Sequence, residues 1–165
     1  MDKLDYTYSV METFTSVQGE GFHSGVPAFF IRLAGCNVGC VWCDVKESWE
    51  EEGHPKQTVS DLLEQALTSG AKVVIVTGGE PTMHDLTALT DVLRMNGFQI
   101  HLETSGTEVL TGTFDWITFS PKKFKAPLKE YFQISHELKV VIHHESDLLW
   151  AEGHAKEMEN KLAFF

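Results

Sequence analysis

All three cysteines of this 165-residue chain, Cys36, Cys40 and Cys43, lie within eight consecutive positions. Thiolates bind soft or borderline metals, and three of them so close in sequence can converge on one centre. A structural zinc site is closed by four protein ligands, whereas a [4Fe–4S] cluster held by three cysteines leaves one iron open to a small molecule. The spacing therefore predicts a metal centre, and favours a cluster over zinc.

Two other interpretations of the cysteines stay open. His54 lies eleven residues after Cys43 and would complete a Cys₃His zinc set. Free cysteines also pack as small apolar side chains, although their close spacing argues against a purely structural role. An electron carrier is disfavoured, because such proteins normally saturate every iron with protein ligands.

Composition restricts the class of protein. With 42% hydrophobic residues, residues 1–165 are expected to form one domain. The formal net charge of −11 disfavours nucleic acid as a partner, because phosphate backbones attract clustered Lys and Arg. The N-terminal residues lack the apolar region of a secretory signal, and no apolar run reaches the roughly 18 residues of a membrane span. We therefore expect a cytoplasmic protein with no membrane partner, where thiols stay reduced.

Strand and helix patterns alternate along the chain. Apolar, β-branched runs indicate strands, and apolar residues at helical spacing indicate helices. The predicted strands cover residues 26–34, 72–79, 98–106, 115–122 and 136–144, and the predicted helices cover 58–69, 85–96 (with Gly97 as C-cap) and 147–159. The final residues KLAFF begin a further strand. About six mainly parallel strands are too few for a closed eight-stranded barrel, so we predict an α/β fold with an incomplete TIM-like barrel.

Unusual residues follow the predicted strands at their C-terminal ends. The cysteine loop follows the first strand, TGGEP ends the second, ETSGT the third and SPK the fourth. Sheets and barrels of this class place their sites at that edge. We therefore expect these four segments to meet around one site.

The motifs resemble those of the radical S-adenosylmethionine superfamily. The C-x₃-C-x₂-C spacing, with Trp42 before the last cysteine, is similar to the cysteine signature of that superfamily. TGGEP at 77–81 resembles its strand-end motif for the methionine part of the cofactor. Within that superfamily, SVQGEG (16–21) followed by VPAFFIRLAGCNVGCVWCD (26–44) resembles the 7-carboxy-7-deazaguanine synthases. ETSGT (103–107), SPK (120–122) and HELKVV (136–141) follow in that family's order, so the resemblance covers nearly the whole chain.

The resemblance implies a [4Fe–4S] cluster on Cys36, Cys40 and Cys43, with S-adenosylmethionine on the open iron. It implies ring contraction of 6-carboxy-5,6,7,8-tetrahydropterin to 7-carboxy-7-deazaguanine and ammonia, on the route to 7-deazapurines such as queuosine. No side chain is predicted to be catalytic, because the cofactor carries the chemistry. The resemblance assigns the cofactor site to Trp42, Cys43, Asp44, Gly79, Glu80, Ser105, Ser120, Pro121 and Lys122.

The resemblance assigns the substrate site to Val17, Gln18, Gly19, Glu20, Arg32 and Thr77. A carboxylate such as Glu20 can accept hydrogen bonds from the adjacent N–H donors of a pterin. The Arg32 guanidinium, in an otherwise apolar strand, matches a carboxylate bidentately. The alternatives are a solvated turn for residues 18–21, a surface ion pair for Arg32 and a solvated loop for Lys122.

Two departures from the family pattern stand out. Family members often carry Thr or Ser after the Cys-Asp pair, where a hydroxyl helps to hold Mg²⁺, but this chain has Val45. Magnesium prefers oxygen ligands, so we predict that a dedicated side-chain ligand is weakened or absent. The family also continues beyond a point like KLAFF, so we expect that this chain lacks the family's C-terminal segment.

The resemblance also implies partners and rivals. It implies a homodimer and a reductant protein such as flavodoxin. A glycyl-radical activating enzyme shares the cysteine spacing, but the QGEG loop and Arg32 speak against that assignment. A shortened, inactive paralogue that binds ligand without turnover stays an alternative.

Overall fold

The structure, a computed structural model, describes residues 2–158 and the backbone of residues 162–164. It contains one sheet of eight strands in the order β3-β1-β2-β4-β5-β6-β7-β8. The strands are β1 (Thr7–Val17), β2 (Pro27–Leu33), β3 (Lys56–Thr58), β4 (Val73–Gly78), β5 (Gln99–Thr104), β6 (Trp116–Phe119), β7 (Glu137–Lys139) and β8 (Leu162–Phe164). The α-helices are α1 (Val59–Ser69), α2 (Thr87–Met95), α3 (Tyr131–Ile134) and α4 (Ser146–Glu157).

Six of these strands run parallel. β2, β4, β5, β6, β7 and β8 pair in that order, each parallel to the next. β1 and β3 extend the other edge in antiparallel pairs. The fold is α/β and its sheet does not close into a full barrel. The predicted partial TIM-like barrel with about six mainly parallel strands is therefore confirmed.

The two antiparallel strands were not predicted, for reasons visible in their residues. β1 has an irregular burial pattern, with its first half buried and its last residues exposed, so apolar and polar residues do not alternate. β3 has only three residues, all partly or fully exposed. Neither strand carries an uninterrupted apolar run like those of the buried parallel strands β2 and β4.

Alternation along the strands separates two cores. In β2, Phe29, Ile31 and Leu33 pack on the helix side, in a cluster that includes Leu62 of α1 and Leu89 of α2. The intervening residues Ala28 and Phe30 face the barrel interior, in a cluster with Val73 and Ile75 of β4. By the same period-two rule Arg32 shares the interior face, which is the side on which a barrel site lies.

Helix ends differ slightly from the predicted ones. Thr58 caps α1, because its hydroxyl accepts from Asp61 N at 3.0 Å while the Asp61 carboxylate accepts from Thr58 N at 2.9 Å. α2 begins two residues late, after a 3₁₀ turn at Pro81–Met83, and its C-cap is Asn96 rather than Gly97. α4 ends at Glu157, and position 159 lies outside the described residues. No helix within residues 2–158 combines the length and apolar character needed to cross a bilayer.

Candidate functional site

A cavity of about 820 Å³ lies at the C-terminal ends of the parallel strands. This volume falls in the range of ligand sites, which is roughly 300–1,000 Å³. Most of the predicted site residues line it: Glu20, Arg32, Cys36, Cys40, Trp42, Cys43, Asp44, Thr77, Gly79, Glu80, Ser105, Ser120 and Lys122. The four strand-end segments therefore meet at one site, as expected from their positions.

Four predicted site residues lie outside the cavity lining, namely Val17, Gln18, Gly19 and Pro121. Val17 ends β1 with 56% of its surface exposed, and Pro121 is buried. Gln18 lines a smaller recess that shares Glu20 and Glu103 with the cavity. Their contact with a ligand stays a prediction.

The ends of β2 and β4 meet backbone to backbone. Gly79 N donates to Leu33 O at 3.0 Å, and Glu80 N donates to Gly35 O at 2.8 Å. A Cβ at Gly78 would lie 2.1 Å from Leu33 O, and one at Gly79 would lie 2.3 Å from Gly35 O. No side chain fits between these strands, so both glycines are required for the approach that brings the cysteine loop beside the TGGEP turn.

The cysteine loop begins from that junction. Gly35 N donates to Ser48 O at 2.7 Å and Cys36 N donates to Trp49 O at 3.1 Å, which fixes where the loop leaves the sheet. The three thiols are free, and all of them line the cavity. Burial raises the pKa of Cys36 and of Cys40, and a cationic metal centre would act in the opposite direction by favouring the thiolates.

The three thiols are of the ligand type that an iron–sulfur cluster requires. Among residues 2–158, no three His, Cys, Asp or Glu side chains converge on a point that could hold one metal ion. His54 Nε2 lies 2.7 Å from Glu47 O, and His54 does not line the cavity, so the Cys₃His zinc set receives no support.

The Glu80 carboxylate is buried, with only 1% of the residue exposed. Its Oε1 accepts from Thr82 N at 3.1 Å, from Thr82 Oγ1 at 2.7 Å and from Thr104 Oγ1 at 2.5 Å. Its Oε2 accepts from Ser105 N at 2.8 Å and from Ser105 Oγ. Glu80 thus ties the ends of β4 and β5 together. The contact of Glu80 with a cofactor stays a prediction, and a contact made through the carboxylate would compete with these donors.

Hydrogen bonds and an ion pair link four polar residues of the cavity lining with Gln18. Gln18 Nε2 donates to Glu103 Oε1 at 2.9 Å, and Thr77 Oγ1 donates to Glu103 Oε2 at 3.1 Å. Lys139 Nζ donates to Glu20 Oε2 at 2.7 Å. Three of the predicted substrate residues, Gln18, Thr77 and Glu20, are therefore held by Glu103 and Lys139, for which the sequence predicts no role. Both residues could have been found from the sequence by the feature that singled out Arg32, which is a charged residue near the C-terminal end of a strand.

Arg32 both forms an ion pair with a surface acid and lines the cavity, so the two predicted environments occur together. Its Nε donates to Glu12 Oε1 of β1 at 2.8 Å, and the guanidinium lies 5.9 Å from the centre of the Phe14 ring. The side chain also lines the cavity. A surface acid therefore orients Arg32 through one nitrogen, which leaves its position at the cavity intact.

Lys122 is held inside the site rather than solvated. Its Nζ donates to Ser120 O at 2.9 Å and to Ser120 Oγ at 2.5 Å, and lies 5.9 Å from the centre of the Trp42 ring. Burial lowers the pKa of Lys122. This ammonium contributes positive charge near Cys40, whose pKa it lowers against the effect of burial.

Comparison with known proteins connects this geometry to a family. The family model of the radical SAM superfamily matches residues 30–132. The 7-carboxy-7-deazaguanine synthase of Synechocystis sp. is 50% identical over 155 residues, which are 94% of this chain and 74% of that protein. The 7-carboxy-7-deazaguanine synthase of Flavobacterium psychrophilum is 47% identical over 156 residues, with the same coverage. The crystal structure of QueE from Escherichia coli matches with a TM-score of 0.87 and 34% identity, covering 95% of this chain and 81% of that one.

Replacing Glu80 by Gln should destabilise the fold. Each carboxylate oxygen accepts from one backbone N–H, so either orientation of the Gln amide would point its NH₂ group at a backbone donor. A buried donor without an acceptor costs about 1–3 kcal/mol, so we expect E80Q to lower the free energy of unfolding by about 2 kcal/mol in anaerobic urea titrations. The control is E64Q on α1, at an exposed position. Equal unfolding midpoints for the two variants would contradict the account of Glu80.

Proposed function

This chain belongs to the radical SAM superfamily and, within it, to the 7-carboxy-7-deazaguanine synthases, and from that membership we propose that it is a radical S-adenosylmethionine lyase. The proposed reaction converts 6-carboxy-5,6,7,8-tetrahydropterin to 7-carboxy-7-deazaguanine and ammonia, in 7-deazapurine biosynthesis. The observation that carries the proposal is that one cavity is lined both by the three free thiols and by Glu20, Arg32 and Thr77.

The cysteine side of the cavity would hold the cofactors. Cys36, Cys40 and Cys43 would ligate a [4Fe–4S] cluster, and its open iron would take S-adenosylmethionine. When bound, this pair supplies the radical that abstracts a hydrogen atom from the substrate. Gly78 and Gly79 line the cavity and would present backbone atoms to the cofactor at the strand end. Lys122 and the Ser120 hydroxyl present a donor and an acceptor at the same wall.

A second part of the cavity lining would bind the pterin. Glu20 is oriented by Lys139 and Gln18 by Glu103, so two side chains of the 18–25 loop are fixed before a ligand arrives. Such preorganisation lowers the entropic cost of binding. Glu20 would accept from the pterin N–H groups, and the guanidinium of Arg32 would face the substrate carboxylate. The protein thus binds, orients and shields the substrate.

Further properties rest on family membership alone. We propose that residues 1–165 act as one radical SAM domain, that the chain works as a homodimer, and that a small reductant protein such as flavodoxin supplies the electron. We also propose that Mg²⁺, where it takes part, is held by substrate, backbone and water. Val45 lines the cavity at the position expected for a hydroxyl ligand and offers no side-chain oxygen.

The function is tested by anaerobic assay of the reconstituted protein with S-adenosylmethionine, a reductant and 6-carboxytetrahydropterin. We expect 5′-deoxyadenosine and the ring-contracted base to form together, and about four iron atoms to bind each chain, as a [4Fe–4S] cluster requires. C36A should lose both products and the cluster. Deoxyadenosine without the ring-contracted base would indicate a different substrate, such as a protein glycine. A loaded cluster with neither product would indicate an inactive paralogue.

Replacing Val45 by Thr should increase the stimulation of turnover by Mg²⁺. Thr has nearly the shape of Val but presents a hydroxyl oxygen, which a hard cation prefers. The measurement is the ratio of turnover with Mg²⁺ to turnover with a chelator. V41T is the control, because Val41 is 69% exposed and does not line the cavity. An unchanged ratio in V45T would contradict the importance of position 45.

A further inference from the structure

The 18–25 loop crosses the open barrel from its antiparallel edge to β7. It connects β1 to β2, which pair with each other. Gln18 N donates to Val26 O at 2.8 Å and Gly25 N donates to Gln18 O at 2.7 Å, so the base of the loop is closed on itself. The tip carries Glu20 into the cavity, against Lys139 of β7.

Glu137 meets the tip of this loop from inside the barrel. It is the first residue of β7, and only 4% of its surface is exposed. Its Oε2 accepts from the backbone N–H of Phe22 at 2.9 Å, across 115 positions of sequence, and its Oε1 accepts from Thr118 Oγ1 of β6 at 2.7 Å. One oxygen of this buried carboxylate therefore bonds to the loop, and the other bonds to β6 of the barrel wall.

The loop is shaped to receive this carboxylate. Gly21 has a φ of +69°, and a Cβ there would lie 2.5 Å from Glu137 Oε1 and 2.7 Å from Oε2. Beyond it, the Phe22 ring stacks on Trp116 of β6 at 5.3 Å between ring centres, and His23 packs edge-on against the same indole at 4.5 Å. Glycine at position 21 is therefore required both by the backbone and by the carboxylate beside it.

We propose that Glu137 is a positioning residue for substrate: by holding Phe22 N–H it sets the place of Glu20 and Gln18 at the cavity. This inference rests on the proposed function, because it assigns the 18–25 loop to the pterin. Glu137 does not line the main cavity, so it acts through the loop rather than on the ligand. The cofactor wall is built from other segments. The effect should therefore fall on substrate binding rather than on cofactor binding.

The test compares E137A with T118V by kinetics and by hydrogen exchange. E137A removes the acceptor of Phe22 N–H, so we expect the KM for 6-carboxytetrahydropterin to rise on the order of tenfold, the value of a hydrogen bond to a charged group. The kcat should stay within about twofold, because the loop contacts would be equal in the ground and transition states. A peptide covering residues 18–26 should exchange its amides faster. T118V leaves the bond to the loop in place, and should change neither KM nor that exchange.

Two further variants keep the test decisive. E137Q should restore most of the wild-type KM, because its amide oxygen can accept from Phe22 N–H while its NH₂ donates to the Thr118 hydroxyl. If E137A does not fold, G21A replaces it, because a Cβ at position 21 would push the loop away from the Glu137 carboxylate. G21A should raise both the KM for the pterin and the amide exchange of the 18–26 peptide. Wild-type KM and exchange in a folded E137A, or equal effects of E137A and T118V, would overturn the inference. If the wild-type protein does not turn over the pterin, the proposed function fails. Hydrogen exchange then tests the loop contact by itself: faster exchange of the 18–26 peptide in E137A supports an anchoring role of Glu137, and unchanged exchange contradicts it.

Discussion

The site depends on the contact between the ends of β2 and β4, where two strand exits approach with no room for a side chain. Gly78 and Gly79 lie against the backbone of residues 33–35, and two backbone hydrogen bonds join the segments. This contact sets the position of the cysteine loop relative to the strand-end turn. The thiols, the TGGEP turn and the β5 end tied by Glu80 then surround one space. A side chain at either glycine would separate the two halves of the proposed cofactor wall.

The cationic side chains at the cavity are each bonded to oxygen atoms of the protein. The chain as a whole is strongly acidic, yet the cavity contains three cationic side chains, Arg32, Lys122 and Lys139. Arg32 and Lys139 are held by carboxylates of β1 and of the 18–25 loop, and Lys122 by oxygen atoms of Ser120. Buried charges are tolerated when they are paired and hydrogen-bonded. The three cations are therefore held at the cavity, where they are available to the carboxylate of the proposed substrate and to an anionic part of the proposed cofactor.

Much of this arrangement could be predicted from the sequence, because it depends on local patterns. Apolar runs such as those of β2 and β4 predicted the parallel strands, and the rule that sites lie at C-terminal strand ends predicted that Cys36, Thr77 and Ser105 would lie near one another. What could not be predicted depends on distant partners. Glu80 looks like a turn residue until Thr104 and Ser105, some 25 positions away, are placed against it. The Lys139–Glu20 pair joins residues 119 positions apart, and no local periodicity encodes such a contact. β1 was missed because its burial changes along its length.

The central claim is that three thiols hold an iron–sulfur cluster whose fourth iron has no protein ligand. The most direct measurement is electron paramagnetic resonance of the reconstituted, reduced protein, recorded with and without S-adenosylmethionine. The account predicts a reduced [4Fe–4S] signal that changes when S-adenosylmethionine is added, because the nucleotide binds the open iron. A signal that stays the same at saturating S-adenosylmethionine, or a protein that binds zinc in place of iron, would contradict it.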